Sequence, residues 1–209
     1  LIGYQCRVAP SKACFCGTLD LVDFHDLMFF DTYEDYYLVE IGSEKGDRLA
    51  QEFEQFFTPA QRFVTQEEKK IIGADRLLTD NLTGMYDSPL WQKDVNNCLS
   101  CTACTTLCPT CYCFSFKDEV EAADVTKGNR KREWSSCMVP EFTEVAGGHV
   151  FRSKRDERFK HRIYHQLDYF KKKYNVQLCV GCGRCIDGCP TRIDFVETIN
   201  EIHHAQMHK

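Results

Sequence analysis

No stretch of this 209-residue chain is apolar for long enough to cross a bilayer, and no signal peptide opens it. A secreted, disulfide-stapled scaffold is thereby disfavoured. The chain also lacks a Ser/His/Asp set, a close carboxylate pair and a dinucleotide fingerprint, so nothing in it points to substrate chemistry of its own. Gly181, Gly183 and Gly188 do not form a phosphate loop, because no strand and helix flank them in the required order. Low-complexity tracts are missing too. The first residue is Leu1 rather than Met, and Leu1-Ile2-Gly3 reads as the middle of a buried strand, so a longer polypeptide is expected to contain this one.

Cysteine, by contrast, is abundant, at 14 residues. Without export, so many thiols suit metal held by reduced cysteines in a cytoplasm. Eight of them fall in two runs on one template: Cys98-x2-Cys101-x2-Cys104-x3-Cys108-Pro109 and Cys179-x2-Cys182-x2-Cys185-x3-Cys189-Pro190. This is the spacing with which bacterial-type ferredoxins hold [4Fe–4S] clusters. Three thiolates wrap a turn of chain around one cluster, the fourth points to the other, and the proline redirects the chain. One cluster is therefore expected on Cys98, Cys101, Cys104 and Cys189, and a second on Cys179, Cys182, Cys185 and Cys108. Zinc knots need only paired C-x2-C with four ligands per metal and would not require two complete runs.

Six cysteines remain: Cys6, Cys14, Cys16, Cys111, Cys113 and Cys137. Two C-x-C pairs and two single residues suffice for a third cluster joining the N-terminal part to the rest. The plainer alternative is that they are small buried hydrophobes. His203, His204 and His208 read as a solvated terminus rather than a metal site.

The net charge of −5 is uneven, with 13 Lys and Arg against 6 Asp and Glu between Lys127 and Lys173. Such a stripe suits an acidic protein face, nucleotide phosphates or nucleic acid, or is merely a solvated helix face. A cluster-bearing nucleic-acid protein is the alternative from another class, disfavoured because no exposed aromatics interleave the stripe.

The fold class expected is α+β. Residues 1–87 read as part of a mixed α/β domain, with a strand over 36–41, a helix from Asp47 to Pro59, and another opened by the Thr65/Glu68 capping box. Residues 88–209 read as a helical ferredoxin domain, entered by a helix capped at Ser88-Pro89. Its long insertion is expected to be helical, with Phe159, Ile163, Leu167, Phe170 and Tyr174 on one face. Ile193, Val196, Ile199 and Ile202 mark a terminal helix packed back over the clusters.

Several pieces together resemble one known family. They are Cys14-Phe15-Cys16, the Tyr37–Gly46 strand and turn, Cys108-Pro-Thr-Cys111-Tyr-Cys113, Trp134-Ser-Ser-Cys137 and Cys179-Val-Gly-Cys182-Gly-Arg-Cys185. They look like the β-subunit of sulfhydrogenase-type cytosolic [NiFe] hydrogenases and the related A subunit of anaerobic sulfite reductases. The resemblance implies an iron–sulfur electron-transfer subunit of a hetero-oligomer, passing electrons between a flavin/NAD(P)-binding partner and a catalytic redox subunit. It implies neither a nucleic-acid partner nor a membrane span. The ferredoxin half is also similar to the small subunit of heterodisulfide reductases and to succinate dehydrogenase iron–sulfur subunits.

Overall fold

The computed structural model describes residues 1–208 except 20, 22, 23 and 33. The chain opens with a three-stranded sheet of β1 (Ile2–Tyr4), β2 (Leu27–Asp31) and β3 (Tyr37–Ile41). β1 runs parallel to β2, and β2 antiparallel to β3 with Phe29 opposite Val39. A parallel pair needs a long crossover. Here it is the segment 5–26, which carries Cys6 and the Cys14-Phe15-Cys16 element away from the sheet. β1 is an edge strand, and Ile2 is 70% exposed rather than buried.

The helix expected from Asp47 begins three residues earlier, as α1 (Glu44–Glu52), because Ser43 caps it by accepting from the Gly46 amide at 3.1 Å. It stops before Phe53, and Glu54–Phe56 make a separate 3-10 turn. The Thr65/Glu68 capping box forms, but it opens only one turn, α2 (Gln66–Lys69). The chain after it is claimed by other partners: Ile72 pairs with Val8, and Gly17 donates to the Ala74 carbonyl.

From Ser88 the chain enters α3 (Trp91–Asn97), whose first amides reach back to the Ser88 and Pro89 carbonyls. α4 (Ala103–Thr106) lies in the first cysteine run. The insertion, expected to be helical, starts instead as a long two-stranded ribbon, β4 (Phe114–Glu121) paired with β5 (Asp124–Trp134). Alternation of polar and apolar residues in β4 puts Phe114 and Phe116 on one face, where Arg132 and Arg130 lie over their rings. The helical part follows as α5 (Arg155–Tyr164), a π-turn (His165–Tyr169) and α6 (Phe170–Tyr174). α7 (Arg184–Asp187) lies in the second cysteine run, and α8 (Phe195–Met207) closes the chain.

One core joins the crossover to the helical region, and the buried Leu27, Phe30 and Leu38 of the sheet lie outside it. Phe15 from the crossover, Trp91 and Val95 from α3, Phe159, Ile163 and Leu167 from the insertion, and Val196, Ile199 and Ile202 from α8 all belong to it. Trp91 is 1% exposed, satisfies its indole N–H on the Met85 carbonyl at 2.8 Å, and meets Phe159 and Tyr164 edge-on. Among the described residues no helix is long and apolar enough to cross a membrane.

The basic stripe does not form one surface. Arg158 and Arg162 are buried, while Lys127, Arg130, Lys131, Lys171 and Lys172 pair with Asp124, Asp118, Glu119, Asp80 and Asp168. His204 and His208 are exposed at the end of the chain, and His203 is half-buried.

Candidate metal centres

The two cysteine runs follow one conformational plan. Ser100 and Thr102 in the first have φ of 53° and 67°; Gly181 and Gly183, at the matching places in the second, have 63° and 72°. These left-handed turns aim an amide at the thiol two residues back. Ser100 N donates to Cys98 Sγ at 3.4 Å, and Gly181 N to Cys179 Sγ at 3.4 Å. A single helical turn follows in each run, α4 and α7, and the two turns pack together. Past each Cys-Pro, a threonine hydroxyl approaches the last thiol: Thr110 to Cys108 at 3.4 Å and Thr191 to Cys189 at 3.5 Å. Hydrogen bonds of this kind stabilise anionic sulfur.

Two cavities lie between the runs. Cys98, Cys101, Cys104 and Cys189 line one, with Cys185 also on its wall. Cys108, Cys179, Cys182 and Cys185 line the other. Each cavity thus has three thiols of one run and the last thiol of the other, with Cys185 in the wall between the two. Among the described residues, no three His, Cys, Asp or Glu side chains converge on a single point as the ligands of one metal ion would. The thiols instead surround voids, an arrangement that fits a polynuclear group. Burial pushes the Cys104 thiol up, and those of Cys179 and Cys185 up to about 11 and about 12, while the Arg162 guanidinium opposes the rise in all three. Metal binding at such sites displaces thiol protons.

The six further cysteines gather as two trios. Cys16 lies within electrostatic reach of Cys6, Cys14 and Cys182, and the Cys14 thiol donates to the Cys182 carbonyl at 3.5 Å. Backbone contact seats this trio: Phe15 N donates to the Gly181 carbonyl at 2.8 Å. A Cβ at Gly181 would stand 2.5 Å from Cys16 Cα, and one at Gly183 2.5 Å from the Ala13 carbonyl carbon. Glycine is required at both places by contact as well as by φ. In the other trio, the neighbouring Cys108 thiol and then burial push the Cys111 thiol up, and Cys113 and burial do the same to Cys137.

Two residues of the site escaped the sequence reading. Gln166, 3% exposed in the π-turn, donates to Cys111 Sγ at 3.5 Å and accepts from Thr110 at 3.1 Å, and its carbonyl accepts the Cys179 amide at 3.1 Å. Arg162 lines both cavities and donates to the Cys104 carbonyl at 2.7 Å. The available signal was their spacing: Arg158, Arg162 and Gln166 recur every fourth residue directly beside the apolar stripe, where a solvated face would be set further round.

Residues 97–193 match the 4Fe-4S dicluster domain, a class of iron–sulfur protein. More particularly, the chain is 35% identical over 219 aligned residues to sulfhydrogenase 2 subunit beta of Pyrococcus furiosus, an alignment covering 98% of the chain. The chain spans 63% of the length of that subunit. No solved structure gives a significant match. The resemblance carried by the C-F-C, C-P-T-C-Y-C and W-S-S-C elements thus holds along nearly the whole chain.

Proposed function

We propose that this chain is a cytoplasmic electron-relay subunit of a sulfhydrogenase-like or sulfite- or sulfur-reducing complex. It connects a flavin/NAD(P)-binding partner to a catalytic redox subunit. One [4Fe–4S] cluster is held by Cys98, Cys101, Cys104 and Cys189, and the other by Cys179, Cys182, Cys185 and Cys108. The observation that carries this reading is the exchange of the fourth thiol between the two cavities. A bound cluster of this type supplies one-electron exchange, which lets a two-electron flavin communicate with a distant metal site.

The chain's own residues do the rest. The amides of Ser100 and Gly181 and the hydroxyls of Thr110 and Thr191 hold negative charge on sulfur. Phe15, Ile163 and Phe195 wall the cavities against water. A third centre belongs to the same proposal. Among the described residues no hydrogen bond joins the two trios, so such a centre sits on one of them with a fourth ligand from beyond it. Cys16→Ser and Cys137→Ser report which trio carries it.

Isolation of the native complex through a tag on this chain tests the relay. A flavin- or NAD(P)-binding subunit and a catalytic redox subunit should co-purify, and NAD(P)H should reduce the clusters. A chain isolated alone, with clusters that no donor reduces, would contradict the proposal.

A further inference from the structure

Arg162 is 8% exposed, and its guanidinium keeps its proton at any ordinary pH. A buried cation is normally matched by a carboxylate or surrounded by acceptors. Among the described residues no ion pair includes Arg162. Its Nη2 donates to the Cys104 carbonyl, and its buried Nε has no partner. Arg158, one turn earlier on α5, shows the ordinary solution: its guanidinium donates to the carbonyls of Met138, Arg152 and Ser153. What surrounds Arg162 instead is sulfur. It stands in the wall of both thiol-lined cavities, and Cys111, Cys104, Cys185 and Cys108 are the thiols nearest in electrostatic effect.

We infer that Arg162 is a counter-charge shared by the two clusters, an electrostatic tuning residue that raises both reduction potentials together. The inference rests on the two-cluster reading above. A cluster bound by four thiolates is anionic and gains a further negative charge when it accepts one electron, with no proton or bond change. A fixed cation between two such sites favours the reduced state of each. It therefore makes both centres easier to fill from one low-potential donor.

The test is a redox titration of the cluster-loaded, full-length protein with dithionite as the one-electron donor, monitored by electron paramagnetic resonance. Arg162→Gln removes the charge while leaving a donor for the Cys104 carbonyl. It should lower the reduced-to-oxidised ratio at fixed poise about tenfold or more at both clusters, about 59 mV for one electron. Arg162→Lys should restore most of that shift. Arg158→Gln should reduce stability without moving either potential. Unchanged potentials in Arg162→Gln, a shift confined to one cluster, or a lysine variant no better than glutamine would overturn the inference. If Arg162→Gln does not retain clusters, iron content decides. Retention by lysine alone supports a need for charge, whereas loss from both folded variants makes the role structural and overturns it. Wild-type protein lacking eight iron atoms would instead defeat the underlying two-cluster reading.

Discussion

Ser100 and Thr102 adopt left-handed backbone at places where the second run has Gly181 and Gly183, and the two glycines are also pressed against the 13–16 segment. At Gly183 a methyl group would meet the Ala13 backbone at 2.5 Å, whereas at Gly84, with a similar φ of +74°, the nearest atom is Gln206 Nε2 at 3.5 Å. Gly84→Ala should therefore cost only the backbone term, about 1–2 kcal/mol. Gly183→Ala should cost more, above about 3 kcal/mol, because the 13–16 segment must also move. Urea unfolding of the two variants checks the order, and equal losses would show that the contact is soft. The ligand assignment is also a matter of single residues. Cys101 is exposed and lines only the first cavity. Cys101→Ser should strip or convert one cluster and leave the other's spectrum intact in folded protein; loss of neither signal, or equal loss of both, contradicts the assignment.

At the scale of elements, α3 and α8 are joined beside the first run by a buried bond, Thr198 donating to the Asp94 carboxylate at 2.7 Å. Burial raises the Asp94 carboxyl above its ordinary 3.8, more than the Thr198 bond lowers it. The folded state thus keeps this proton to higher pH than the unfolded chain does. The contribution is most favourable below the unfolded value and declines as pH rises through the folded one. Asp94→Asn keeps an acceptor for Thr198 and removes the titration, so its stability should fall less than wild type from pH 4 to 7; a steeper fall contradicts this. The elements also show what was legible in the sequence. Cysteine spacing is read directly, because covalent geometry leaves few ways to wrap C-x2-C-x2-C. The apolar periods of α5 and α8 were equally plain. The ribbon was not, because β4 and β5 are almost wholly exposed and carry little hydrophobic alternation beyond Phe114, Phe116 and Val120. Arg162 was counted with its neighbours as surface charge, since only packing shows which side of α5 meets the cavities.

For the whole molecule, the Cys14-Phe15-Cys16 element sits on the second run, so the segment that follows β1 shares a core with the cluster region. Much of the positive charge is already consumed by internal pairs, and Lys154 and Arg155 remain exposed at the start of α5. Reversing both to Glu should slow electron exchange with a partner subunit roughly tenfold at low salt and little at high salt, since exposed charges steer encounter and are screened. Rates that do not change with ionic strength in either protein would exclude this docking role. The central claim is that two crossed thiol sets each hold a [4Fe–4S] cluster. Its most direct test is iron and acid-labile sulfide analysis of the anaerobically purified full-length protein. The account predicts roughly 8 iron atoms and as many sulfides per chain, or roughly 12 of each where one trio of cysteines carries a third centre. One or two zinc ions per chain and no sulfide would contradict it.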